Sequence, residues 1–304
     1  RLPGVTVSAP LFVGLISASL GLLQQPPQLV LPGESGHRFV DIASSRSPAM
    51  SGGILVVDGT RKRFEQARAL IRGLPVDQAM ARLAEFFLGS PYLAMSLEQS
   101  GKEQLRLDLT QFDCMLFVEQ LLALVWADSF DGFAEQTRRL RYQNGDVRYC
   151  TRQHYFHDWV SSAQTRGLLE QDSVWPGQTT RILQLNFMTN HRDRYPALQS
   201  PVLFDCIRER EQGRRIEQRY LPLGALEAAL PSLQSGDLFA VATSVGGLDV
   251  THTGVLVREG SRLDAIHAAP GRGVMRSRSF QRYLRSVPDA IGAVIVRPLQ
   301  QKQF

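Results

Sequence analysis

Cysteine is scarce: the 304 residues contain three, Cys114, Cys150 and Cys206. They form no C-x-x-C pair, and no histidine cluster stands at zinc-finger spacing, so the count fits neither a disulfide framework nor a structural zinc site and leaves at least one thiol free. Cys150 and Cys206 are expected to be structural thiols. Blocks of like charge are also missing. The formal charge is +5 and the pI about 9.4, yet the basic residues are interleaved with acids, as in "RLRYQNGDVRYCTR" and "IREREQGRRIEQR", which argues against a nucleic-acid partner. Repeats and low-complexity tracts are absent. What remains, 43% hydrophobic and 21% charged residues, is ordinary globular composition with enough apolar material for a sizeable core.

No charge falls between Arg1 and Glu34. Within that stretch "PLFVGLISASLGLL" has the length of a signal-peptide apolar region and falls short of the ~20 apolar residues of a membrane span. Residues 1–33 are therefore expected to be an export signal or short anchor, which would be the chain's one membrane contact, and 34–60, rich in Pro and Gly, a linker. A lipoprotein anchor is excluded by the lack of cysteine there. An exported protein of the periplasm or cell envelope is implied.

Two short helices follow, "RKRFEQARALIRGLP" and "VDQAMARLAEFFLG", each stopped by Gly and Pro. Helical spacing resumes near Asp131 to Leu140. The last third changes character: "GDLFAVATS", "VTHTGVLV", "RLDAIHAA", "GVMRSRS" and "AIGAVIVRPL" read as short antiparallel strands, with "SFQRYLRSV" a helix among them. Helices followed by strands predict an α+β fold, helices packed on one side of an antiparallel sheet, in one domain over 61–304.

The segment "TQFDCMLFVEQLLALV" predicts an amphipathic helix with Cys114, Phe117, Val118, Leu121, Leu122 and Val125 on one buried stripe. Thr110 and Asp113 have capping-box spacing, so Cys114 falls in the first turn. A thiol at a helix N-terminus can have its pKa lowered, and first-turn amides can hold an oxyanion; Asp113 would oppose the first effect and is better placed to cap or bind. Free cysteine is also among the most buried residue types, so packing is the competing reading. A nucleophile needs a base and an orienting group. If "VTHTGVLV" and "RLDAIHAA" form a hairpin with Glu259 and Gly260 at its tip, His252 and His267 face each other directly. Without a third ligand nearby a metal pair is not supported, and no cofactor is expected.

The ordered set "LGSPY" (88–92), "FDC" (112–114), "GDL" (236–238), "HTGV" (252–255) and "IHA" (266–268) resembles the NlpC-type cysteine amidases that cut bacterial peptidoglycan. The segments "RYQNGDVRYCTRQHYFHDWV" and "LDVTHTGVLV" resemble one branch, the N-acetylmuramoyl-L-alanine amidase-like family. The resemblance covers about residues 80–298. It implies a papain-like core with a family-specific insertion over 131–225, Cys114 as nucleophile, His252 as base, His267 as the orienting residue, and Tyr92 beside the thiol. The substrate implied is a muropeptide or peptidoglycan fragment, including 1,6-anhydro species, cut between N-acetylmuramic acid and L-alanine. Two alternatives are a γ-D-glutamyl-diaminopimelate endopeptidase and a wall-binding protein without turnover. Met115 and Leu116 replace the small or hydroxyl residues usual after the cysteine, and Ala269 replaces a serine after "HA". In the insertion, Arg152, His154, Tyr155 and Trp159 combine charged donors with flat aromatic faces suited to sugar recognition; with Asp113 and Tyr92 they make up the expected substrate-binding set.

Overall fold

The computed structural model describes residues 53–98, 102–170 and 173–300, together with the backbone of the paired dipeptides Gly14–Leu15 and Ala18–Ser19. The expected export segment, 1–33, otherwise lies outside the described residues. The expected linker does not run to residue 60: β1 (Ile54–Val56) pairs in parallel with β2 (Leu105–Leu107). Helices α1 (Thr60–Ile71) and α2 (Val76–Phe86) follow β1.

Helix α3 (Cys114–Val125) is the centre of the molecule, and all twelve of its residues are buried. The amphipathic reading of this helix is thereby corrected. Its apolar stripe packs Phe117, Val118, Leu121 and Leu122 into the main core, while the polar face is covered too. Glu119 is sealed against Arg141, whose Nη2 and Nε lie 2.6 and 2.9 Å from Oε1. Gln120 closes a reciprocal pair with the backbone of Asp108. Burying polar groups costs little only when each finds a partner, and these do. Arg141 ends α4 (Phe130–Arg141), so the ion pair also fixes how α4 crosses α3.

The strands form a seven-stranded antiparallel sheet in the order β8-β7-β6-β5-β9-β4-β3. The elements are β3 (Thr179–Gln184), β4 (Arg215–Pro222), β5 (Leu238–Thr243), β6 (Val250–Glu259), β7 (Arg262–Ala269), β8 (Gly273–Ser277) and β9 (Ala290–Val296). Val255, Val257, Ile266 and Ala268 face α3 and the other N-terminal helices. Phe239, Leu256 and Ala265 face the opposite way, onto Phe280 and Leu284 of α7 (Phe280–Ser286). The expectation of helices on one side is corrected by α7, though the α+β class stands.

The stretch 131–225 is likewise more than an insertion between helix and sheet, because β3 and β4 extend the sheet itself, joining it where β4 pairs with β9. Between them and α4 lie α5 (Phe156–Thr165) and α6 (Pro201–Glu211). This wing has a core of its own around Tyr155, Phe187, Tyr195 and Ile207. A disulfide joins Cys150 to Cys206 of α6, their Cα atoms 5.9 Å apart. The expectation of two separate thiols fails because α6 folds back onto the turn at residues 149–151, a proximity that spacing along the chain does not reveal. Cys114 is the remaining free cysteine.

The buried Glu119–Arg141 pair generates a test. Glu119→Ala leaves an unpaired guanidinium in the core and should lower stability by about 3–5 kcal/mol, while Glu119→Leu combined with Arg141→Met should recover most of that loss; urea denaturation of the three proteins measures both.

Candidate active site

Cys114 stands at the first helical position of α3 because Asp113 terminates the preceding extended chain and caps the helix, its Oδ1 accepting from the Leu116 amide at 2.7 Å. The capping box anticipated from Thr110 is not formed: Thr110 instead donates to Asp108 Oδ1 at 2.6 Å. The approach is fixed by "LGSPY". Its Gly89 and Ser90 bond to Val274 at the edge of β8, and Gly273, with φ +75°, lies so close to the Ser90 carbonyl that a Cβ would come within 2.3 Å of it. Tyr92 then bridges Phe112 in parallel, with Phe112 N–H donating to Pro91 O and Leu93 N–H to Phe112 O. The structure thus brings Tyr92 alongside the residues that lead into Cys114.

The histidine hairpin turns one residue later than expected. Glu259 pairs with Arg262, so the two-residue tip is Gly260–Ser261, with Gly260 at φ +60°. A two-residue loop needs positive φ at its first position, and only glycine adopts that without strain. The register moves by an even step, so His252 and His267 keep to one face but meet diagonally. His252 Nε2 lies 2.9 Å from His267 Nδ1, the rings edge to face with centroids 4.8 Å apart. On its other side His267 Nε2 meets Ser277 Oγ of β8 at 2.9 Å, a hydroxyl contact of the kind absent at Ala269.

Although β6 begins at Val250 and β7 runs to Ala269, their ladder is recorded only from Val255↔Ile266 outward to the turn. Thr253 lies beyond it. Its hydroxyl donates to the Cys114 carbonyl at 2.7 Å, and its amide and hydroxyl also bond to the Cys114 sulfur. The thiol is therefore held by the residue next to His252. Tyr283 of α7 closes the group: its ring lies 4.5 Å from that of His267 and 6.4 Å from that of His252. Asp264, accepting from the Ser279 amide at 3.0 Å, sets the start of α7 and so the place of Tyr283.

Electrostatically the thiol and both imidazoles are neutral at rest. Burial pushes the Cys114 thiol up to about 12, helped by the Asp113 carboxylate and opposed by the Thr253 hydrogen bonds. The lowering expected at a helix start is overridden because Cys114 is only 3% exposed. Burial also holds His252 well below the usual imidazole range, with the neighbouring His267 adding to the effect, and lowers His267 to about 4. Asp113 is itself raised to about 6 by burial. Its cap takes the Leu116 and Met115 amides, so those two first-turn donors are already engaged.

The remaining sugar-binding candidates are not presented to solvent. Arg152 is fully buried, ion-paired with Glu98 and seated over the Tyr149 ring at 4.6 Å. His154 bonds the Tyr149 carbonyl at 2.8 Å. Tyr155 donates to Glu211 at 2.5 Å and accepts from the Phe187 amide at 2.9 Å. Trp159 packs in the main core, and Asp113 is a buried cap. All five are buried; Asp113 and Tyr155 have bonded polar ends, whereas Arg152 Nε, His154 Nδ1 and Trp159 Nε1 have no hydrogen-bond partner among the described residues. Thr253, Ser277 and Tyr283 are the site residues that sequence reading missed. Ser277 and Thr253 had a usable signal, since alternation puts Ser277 on the His267 face and Thr253 on the helix side. Tyr283 had none. Two clefts, of about 480 and 800 Å³, are lined by α5 and its neighbours and not by Cys114, His252 or His267.

The AmiA-like, N-acetylmuramoyl-L-alanine amidase-like family matches residues 82–292. No curated protein matches the chain. Among solved structures, an N-acetylmuramoyl-L-alanine amidase from Bacteroides uniformis is 28% identical with a TM-score of 0.69, covering 74% of this chain and 99% of its own. A Bacteroides fragilis protein named as a candidate xylanase is 29% identical (TM-score 0.65, 71% and 99% covered). A Legionella pneumophila protein at 21% identity shares the fold (TM-score 0.64, 80% and 94% covered).

A neutral resting site predicts how the thiol reacts. Below a pKa of about 12 the thiolate fraction grows tenfold per pH unit, so iodoacetamide alkylation of Cys114 without substrate, followed by mass spectrometry, should keep rising through pH 10 and stay slower than that of free cysteine. A plateau near neutrality would indicate a preformed thiolate–imidazolium pair and overturn this picture.

Proposed function

Because the chain belongs to the AmiA-like, N-acetylmuramoyl-L-alanine amidase-like family, we propose that this peptidoglycan amidase-like hydrolase cleaves the amide between N-acetylmuramic acid and L-alanine through a Cys114–His252–His267 relay on a papain-like, NlpC-type core. The observation that supports the mechanism is the 2.9 Å contact between His252 and His267 on the strand whose Thr253 donates to the Cys114 carbonyl. Muropeptides, including 1,6-anhydro forms, are the substrate class, and the B. uniformis amidase supports that choice by its name.

Engagement of His252 Nε2 by His267 assigns the proton-accepting role to Nδ1. In the consistent tautomer set, His252 Nε2–H donates to His267 Nδ1 and His267 Nε2–H donates to Ser277 Oγ. As the sulfur attacks the lactyl carbonyl carbon, its proton passes to His252 Nδ1, the S–C bond forms and the carbonyl oxygen becomes an oxyanion. Collapse breaks the C–N bond, and His252 returns the proton to the departing alanine nitrogen. Water then attacks the thioester, losing its proton to His252, and releases the lactyl carboxylate and the thiol. Neutral His267 orients the ring and adds no charge. A thiol of pKa about 12 makes proton transfer simultaneous with attack, in contrast to a resting ion pair. The Cys150–Cys206 disulfide favours an oxidising compartment, in keeping with export to the periplasm or cell envelope.

Cys114→Ala should abolish release, a loss of at least about 10³-fold, and His252→Asn should cost about 10²–10⁴-fold. On anhydro-muropeptides mass spectrometry should find free disaccharide and intact stem peptide. A shortened stem peptide would instead identify an endopeptidase, and equal activity of Cys114→Ala and wild type would overturn the enzymatic reading.

The pH profile is a separate expectation. His267 is depressed to about 4, so it stays neutral, and the relay intact, down to that pH. Initial rates should hold from pH 8 to about 5 and fall below, as protonation of His267 removes the acceptor for His252 Nε2–H.

A further inference from the structure

The larger cleft, of about 800 Å³, lies between α4, α5 and the end of α6 and is lined by five arginines against two carboxylates. The two acids are already shared. Glu135 bonds both Arg138 and Arg139 on its own helix. Asp158 of α5 is held by Arg214, whose Nη1 is 2.8 Å away, and by Arg210 at 3.6 Å. Arg166, just beyond α5, pairs with no carboxylate among the described residues: it donates to Gln136 Oε1 at 2.5 Å, and its buried Nη1 has no hydrogen-bond partner. Burial and the Arg139 and Arg138 charges lower its pKa to about 10, so at neutral pH the cleft concentrates positive charge that its own acids do not balance.

The wall is also preorganised. Arg210 Nη1 donates to the carbonyls of Cys150 and Arg152 at 2.6 and 2.8 Å, and one turn earlier on the same helix Cys206 is bonded to Cys150. The disulfide therefore fixes the helix that carries Arg210 to the turn that receives it. Guanidinium groups held in place bind planar oxyanions through paired N–H donors at little entropic cost. Ser161, Ser162 and Gln153 supply neutral donors on the same wall.

We propose that this cleft is a binding site, separate from Cys114, for a compact multivalent anion bearing two or more carboxylate or phosphate groups, with Arg166 as its central contact. The site stands on the wing's residues alone and does not depend on the amidase reading.

Thermal shift and calorimetric titration of the full chain with citrate, pyrophosphate and acetate at matched ionic strength test it. Citrate or pyrophosphate should raise the melting temperature in a saturable way while acetate does not; the stronger of the two identifies the site as one for carboxylates or for phosphates. Arg166→Gln should weaken binding at least about tenfold, and so should Arg139→Gln at the exposed rim, which guards against a folding defect at Arg166. Arg72→Gln, on the exposed end of α1, should bind as wild type. Equal shifts with acetate, or unchanged affinity in both cleft variants, would overturn the proposal.

Discussion

Thr253 is the joint on which the site depends. One side chain ties the first carbonyl of α3 to β6, and the same residue holds the thiol. It can do so because alternation puts its side chain on the helix side of the sheet while its backbone stays in register with Ala240 of β5. Thr253 thus ties the buried start of α3 to the strand that carries His252, whose ring meets His267 on one face of the sheet.

That arrangement has an electrostatic cost and a chemical use. Cys114, His252 and His267 are each held neutral by burial. The contrast with Glu119 and Arg141 is instructive: there the buried charges are paired at 2.6 Å, whereas the two imidazoles are uncharged and linked by hydrogen bonds through to Ser277. In the proposed relay, charge would develop only during reaction, in surroundings that water screens poorly.

Much of this was legible in the sequence because it is local. The strands around His252 and His267, the helix at Phe280–Ser286 and the start of α3 each follow from turn residues and periodicity. The hairpin register was missed by one position because Gly260 was placed second in the turn, whereas its positive φ belongs first. The wing was misread for a different reason. Arg152, Tyr155 and Trp159 have the composition of a sugar-binding face, and composition does not say which way a side chain points; the answer comes from Glu98 and Glu211, 54 and 56 residues distant along the chain, and from the main core around Trp159. Tyr283 and the Cys150–Cys206 bond were invisible on the same account, being products of how distant elements dock.

The pairing of β4 with β9 through Gly292↔Pro222 and Ala293↔Leu221 bears on how such a protein can be divided. A wing that was an excursion from a loop could be cut out and the ends rejoined. Here excision would strip one side of β9 and turn "AIGAVIV", a β-branched and almost uncharged run, into a sheet margin with open amides and carbonyls. Such a margin recruits other chains. The wing is therefore the lateral seal of the sheet as well as the bearer of its own cleft, and a minimal catalytic fragment lacking it would trade solubility for size.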